Sequence, residues 1–198
     1  MRIALFSPEA MDGALQILAA GGVVAHATET CYGLACDLTN PAAVEKLFAM
    51  KNRPADQPVS ALFPSVQEAQ KYVEWNDRAE ALARSHLPGP LTLILPLRQD
   101  APPVFPTPYA LRPNPTLGLR VSSHPLAMEL ATRFGKPLST TSANLHGKPN
   151  TYSTVDITEQ LQNHKGPDLI IDSGDLPLNP PSTIMDLTTD GTVRRGKI

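Results

Sequence analysis

Residues 117–140 read LGLRVSSHPLAMELATRFGKPLST, and this stretch decides the fold class. Leu117 to Ser122 reads as a short strand. Pro125 to Phe134 reads as a helix stopped by Gly135, a residue that accepts the left-handed turn at a helix end. Pro137 to Thr140 then reads as the next strand. Strand, helix and strand in immediate succession are the unit of a layered α/β protein.

The same alternation extends outward. Leu91 to Leu97 is a clear strand, and Met11, Leu15, Ile17 and Leu18 recur as one helical face that ends at Gly21-Gly22. Val23 to Ala27 reads as a strand. Asn40-Pro41 offers an N-cap and a first-turn proline for a helix with Val44, Leu47 and Phe48 on its apolar stripe and Lys51 and Arg53 at its end. Val59 to Phe63 is a further strand, Ser65 with Glu68 makes a capping box, and Asp77 to His86 a helix. Strands at Leu169 to Asp172, Thr183 to Leu187 and Val193 to Arg195 follow without helices between them. A purely parallel sheet is therefore not expected. A twisted mixed sheet, parallel and antiparallel, with flanking helices fits best.

The 198 residues, 41% of them apolar, suffice for a substantial core, and one domain over residues 1–198 is expected. Lys and Arg number 17 against 19 Asp and Glu, a formal charge of −2, so no global positive field gathers nucleic acid or anionic membrane. Any anion must meet a local cluster of cations. Apolar runs are too short to span a bilayer and the N-terminus lacks a signal-peptide core, which makes cytoplasmic location the expectation. Cys31 and Cys36 are too few for a disulfide framework or a zinc site. The 21 prolines concentrate in residues 101–115, where helix and central strand are excluded, so a long loop that can act as a lid is expected.

Three polar segments follow strands or helices, where α/β folds place ligands. In Thr28-Glu29-Thr30-Cys31-Tyr32-Gly33, hydroxyls can orient a small polar substrate, or Thr and Gly can simply serve the turn. Lys51 and Arg53 suit carboxylate or phosphate, and equally suit a helix C-terminus. Ser139-Thr140-Thr141-Ser142-Ala143-Asn144 can offer hydroxyls and an anion nest, or be a Ser/Thr-rich turn. No phosphate-binding glycine loop or dinucleotide fingerprint occurs. Asp37, Asp172, Asp175 and Asp186 lie near strand ends without forming a magnesium ligand pair, and the five histidines show no metal or triad spacing.

Taken in order, Thr28-Glu29-Thr30-Cys31-Tyr32-Gly33-Leu34, Lys51-Asn52-Arg53-Pro54, Pro88-Gly89-Pro90-Leu91-Thr92, Leu119-Arg120-Val121, Ser142-Ala143-Asn144 and Ser182-Thr183-Ile184 resemble the YrdC-like threonylcarbamoyl-AMP synthase family. The resemblance runs over roughly residues 10 to 196. It implies a mixed sheet around a concave basic cavity. It also implies a reaction in which L-threonine, bicarbonate or carbon dioxide, and ATP give threonylcarbamoyl-adenylate and pyrophosphate. A separate threonylcarbamoyl transferase complex would pass the group to the tRNA adenosine beside the anticodon.

By the same resemblance, Lys51 and Arg53 are the catalytic cations, and Thr28, Arg120 and Ser182 are threonine contacts. Arg53, Gln57, Thr116, Thr140, Ser142, Asn144 and Arg194 are implied as ATP contacts, with Mg2+ arriving on the ATP phosphates rather than in a protein cage. Weak tRNA binding could accompany the synthase activity; a double-stranded RNA or tRNA-binding or ribosome-maturation factor of the same fold, and a related domain using another acceptor, are the competing implications. Three positions depart from the family pattern: Ala27 replaces proline, Leu62 a histidine, and Lys197 stands where longer members continue into a further domain.

Overall fold

The protein's structure, a computed structural model, describes residues 1–54, 57, 59–102, 114–162, 164–189, 191–194 by backbone, and 196. Among these, the order is β1 (Arg2–Leu5), α1 (Pro8–Ala19), β2 (Val24–His26), β3 (Gly33–Ala35), α2 (Pro41–Lys51), β4 (Ser60–Leu62), α3 (Val66–Ala69) and α4 (Asp77–His86). Then come β5 (Leu91–Pro96), β6 (Thr116–Arg120), α5 (Pro125–Phe134), β7 (Leu138–Ser142), α6 (Thr154–Leu161), β8 (Leu169–Asp172), β9 (Thr183–Asp186) and β10 (Gly191–Arg194). The strands join in one sheet in the order β1-β8-β2-β3-β7-β4-β6-β5-β9-β10. The pairs β1/β8, β2/β8, β4/β6 and β5/β9 are parallel and the others antiparallel, so the sheet is mixed as expected.

Helix ends follow local chemistry. Asn40 accepts from the Ala42 and Ala43 amides at the start of α2, and Gly135 ends α5 at φ 72°. The capping box expected at Ser65 is only half formed. Ser65 Oγ accepts from the Glu68 amide at 3.2 Å, but the Glu68 carboxylate turns to Lys71 at 2.7 Å, and α3 is a single turn. A complete box opens α6 instead, between Ser153 and Asp156. Three elements, β1, β3 and α6, lie beyond the sequence expectations. The residues of β3 are buried throughout and show no alternation, whereas Ile3 and Leu5 of the edge strand β1 are exposed. The proline-rich stretch falls mostly on residues 103–113, outside the described residues, as do Lys197 and the Arg194 side chain.

Two cores flank the sheet. Val44, Leu47 and Phe48 of α2 and Ile157 and Leu161 of α6 pack on one face against Ala61, Leu93 and Leu119. Met11, Ala14 and Leu18 of α1 and Leu126, Leu130 and Ala131 of α5 pack on the other against Leu62, Leu138 and Leu169. Leu62 stands opposite both Leu138 and Arg120 in the ladders. Cross-strand partners share a face. Arg120 therefore projects from the face that α1 and α5 cover farther along, and the uncovered part of that face is open to ligand.

Candidate active site

The floor of the open region comes from strand alternation. Leu91, Leu93 and Leu95 of β5 are fully buried, while Thr92 and Ile94 face a cavity of about 530 Å3. On β6, Leu117 and Leu119 turn inward, and Thr116, Gly118 and Arg120 face the same cavity. Ser60 of β4, Thr140 and Ser142 of β7, and Ile184 and Asp186 of β9 complete the row, with Ile94 opposite both Gly118 and Asp186. The volume is ordinary for a small-molecule site. Gly118 keeps the floor flat, because a Cβ there would come within 2.5 Å of Ser60 Oγ.

Loops raise the walls. Between β2 and β3, Thr28 Oγ1 donates to the Cys31 carbonyl at 2.6 Å and accepts from the Thr30 and Cys31 amides at 3.2 Å. The hydroxyl thus folds the turn and also lines the cavity, so both uses open to it in the sequence are realised together. Arg120 Nη2 donates to Glu29 Oε1 at 2.8 Å and to Thr30 Oγ1 at 2.9 Å, and Ser122 Oγ donates to Glu29 Oε2. Burial pushes the Glu29 carboxyl upward, but the Arg120 charge and the two hydrogen bonds outweigh it and leave the group below its ordinary value. Ser182 also lines the cavity, 3.2 Å from Thr92 Oγ1. Below the turn, His26 is fully buried with Nδ1 on the Ala27 carbonyl at 3.0 Å; burial holds its pKa down at about 4, so the ring is neutral.

At the end of α2, one residue separates two cations that do different things. Asn52 adopts the left-handed conformation at φ 50°, which asparagine tolerates, and so turns the chain between them. Arg53 lines the cavity, its guanidinium 5.9 Å from the centre of the Phe48 ring. Lys51 is 2% exposed and is not among the residues lining the cavity. Its ammonium donates to the backbone oxygens of Ser142 and Asn144 and to Asn144 Oδ1. Burial first, and then the Arg53 charge, lower the Lys51 pKa to about 7.

The hydroxyl-rich segment is not the loop the sequence suggests. Residues Leu138–Ser142 form β7, and the Ser139 and Ala143 amides pair with the Cys36 and Tyr32 carbonyls. With these backbone donors engaged in pairing, no anion nest is available there, and Thr140 and Ser142 serve through their side chains. Asn144, 7% exposed, accepts from Ser142 Oγ at 2.6 Å and donates to the Lys148 carbonyl.

The cavity therefore brings together Thr28, Arg53, Thr116, Arg120, Thr140, Ser142 and Ser182. Lys51 and Asn144 stand behind its wall, and half-buried Gln57 is not among the lining residues. Thr30, whose hydroxyl the sequence offered beside Thr28, also lines the cavity, as do Ser60, Thr92, Asn150 and Asp186, which the sequence did not assign to the site. Among the described lining residues the side chains of acidic or basic type are Arg53, Arg120 and Asp186, and Glu29 pairs with Arg120. Two arginines thus supply the basic groups of the described lining. Among the described residues no three His, Cys, Asp or Glu side chains converge on a metal position.

This architecture has relatives. The Sua5/YciO/YrdC family model, described as Telomere recombination, matches residues 16–196. The chain belongs to this family. It is 33% identical over 192 residues to a threonylcarbamoyl-AMP synthase of Photobacterium profundum, covering 94% of this chain and all of that one. It is 34% identical to a synthase of the same name from Vibrio vulnificus, over 92% of this chain and 96% of the relative. The crystal structure of Pyrococcus abyssi Sua5 complexed with L-threonine superposes with a TM-score of 0.85 at 30% identity, over 98% of this chain and 56% of that one. The chain thus spans a little over half of that Sua5 chain. The Escherichia coli YciO structure gives a TM-score of 0.82 at 28% identity, over 98% of this chain and 93% of that one. Among the described residues no helix is long and apolar enough to cross a membrane.

Proposed function

We propose that this protein is a threonylcarbamoyl-AMP synthase, a nucleotidyltransferase that joins L-threonine, bicarbonate-derived carbon dioxide and ATP. The observation that carries the reading is the convergence of Arg53, Arg120 and a ring of hydroxyls on one cavity of about 530 Å3, in a chain whose relatives bear that name. The threonine amine, once deprotonated, bonds to the carbon of carbon dioxide and gives a carbamate. A carbamate oxygen then attacks the α-phosphorus, the bond from that phosphorus to the bridging oxygen breaks, and pyrophosphate leaves. The reactants supply both nucleophile and leaving group. The protein's contribution is alignment of mutually repelling anions and compensation of charge on the transferring phosphoryl group.

In this reading Arg120, Thr28 and Ser182 hold threonine at one end of the cavity. Arg53 faces the carbamate and phosphate oxygens as the catalytic cation, and Thr116, Thr140 and Ser142 receive the nucleotide, with Gln57 and Arg194 as further contacts. Lys51 and Asn144 act through Ser142 as positioning residues. Magnesium enters as part of the ATP substrate, bound to its phosphates. One domain over residues 1–198, a cytoplasmic location, delivery of the adenylate to a threonylcarbamoyl transferase complex, and only weak contact with tRNA complete the proposal. Pyrophosphate release that requires threonine, bicarbonate and Mg-ATP together supports it. Release that proceeds equally without threonine contradicts it.

A further inference from the structure

Arg120 enters the cavity wall with its charge already matched. Its side chain is 10% exposed and that of Glu29 15%, at a separation of 2.8 Å. Nη2 gives its two hydrogens to Glu29 Oε1 and Thr30 Oγ1, while Nε is buried without a partner. Both carboxylate oxygens are engaged, Oε1 with Arg120 and Oε2 with the Ser122 hydroxyl. The Glu29 backbone oxygen accepts from Asn179 Nδ2 at 3.0 Å, which ties the turn after β2 to the stretch that leads into Ser182.

A buried ion pair is a poor source of stability, because desolvation of two charges offsets their attraction. Its value here lies in geometry. An unanchored arginine samples many rotamers, and a guanidinium whose Nη2 is fixed on two sides presents its remaining donors in one orientation. We propose that Glu29 is a positioning residue for threonine recognition. It fixes the Arg120 guanidinium so that the donors not used by Glu29 and Thr30 meet the substrate carboxylate, and it balances the charge so that recognition depends on hydrogen-bond geometry rather than on net positive potential. This rests on the reading of Arg120 as a threonine contact.

Calorimetric titration of L-threonine, and separately of Mg-ATP, into wild type, Glu29→Ala, Glu29→Gln, Arg120→Ala and the Glu29→Ala/Arg120→Ala pair tests this. Glu29→Ala is expected to weaken threonine by about tenfold or more and Mg-ATP by less than about twofold. Glu29→Gln, which keeps an acceptor oxygen for Nη2, recovers threonine affinity to within about threefold of wild type. The double variant binds threonine no more weakly than Arg120→Ala, since Glu29 acts through Arg120. If Glu29→Ala does not fold, Ser122→Ala replaces it, with a smaller loss again confined to threonine. Equal weakening of both ligands, additive losses in the double variant, or unchanged threonine affinity overturns the proposal. Unchanged threonine affinity in Arg120→Ala overturns the arginine assignment and this proposal with it. Wild type that binds threonine but releases no pyrophosphate sinks the synthase reading alone.

Discussion

The Lys51 ammonium is held by Asn144, donating to its backbone oxygen at 2.7 Å and to its Oδ1 at 3.1 Å. The same ammonium also donates to the Ser142 carbonyl, so all its donors are spent on the exit of β7. Lys51→Met, similar in length and without donors, leaves those buried oxygens unsatisfied at a cost of about 1–3 kcal/mol. We expect pyrophosphate release to fall by about a hundredfold or more. Because the effect passes through Ser142, the Michaelis constant for ATP should rise while that for threonine changes little. A variant with unchanged ATP kinetics would show that the Asn144 contact is dispensable.

Two buried bases make stability depend on pH with the same sign. Folded His26 holds its proton only below about 4, against 6.5 for an ordinary histidine. Between these values the unfolded chain binds the extra proton, so the stability from this group is lost as pH falls through that window, by up to about 3 kcal/mol. Folded Lys51 releases its proton near 7 rather than 10.5, so its contribution rises with pH between those values. Urea unfolding of His26→Phe against wild type from pH 4 to 7 should show a flatter profile for the variant. Parallel profiles would contradict a buried neutral imidazole.

The flat floor at Gly118 has a separable cause. A Cβ added there meets Ser60 Oγ at 2.5 Å and Ser60 Cβ at 3.2 Å. Gly118→Ala should therefore push Ser60 into the cavity and lower activity by about tenfold or more, and Ser60→Gly in the same chain should restore most of it. Failure of the second substitution to rescue would place the damage in β6 itself.

The stabilising use of Tyr32 is equally specific. Its buried hydroxyl donates to the Gly174 carbonyl at 2.8 Å and accepts from the Ser173 amide at 2.9 Å. Tyr32→Phe leaves both backbone groups without that partner, and should lower the free energy of unfolding by about 1–3 kcal/mol. A loss below about 0.5 kcal/mol in chemical denaturation would mean that water replaces the hydroxyl.

Features set by neighbours in the chain are legible in the sequence. Asn40-Pro41 caps α2 and Gly135 ends α5 because capping is local chemistry. Leu117 and Leu119 announce β6 by alternation, whereas Gly33 to Ala35, buried on both faces, announce nothing. The opposition of Leu62 to both Leu138 and Arg120 is long-range pairing, and no spacing rule reaches it. At the site, Lys51 and Arg53 read alike. The left-handed turn at Asn52 separates them, sending one behind the wall and the other into the cavity. Asp186 and Thr92 escaped assignment because a strand's cavity face is known only once its neighbours are.

Synthesis of the adenylate is the central claim, and incorporation of labelled bicarbonate tests it most directly. With L-threonine and Mg-ATP present, the label should appear in a product containing adenosine monophosphate and threonine, formed with one pyrophosphate per label and lost in Arg53→Ala. Pyrophosphate release without label in any adenylate, or label incorporated equally in Arg53→Ala, would contradict the account.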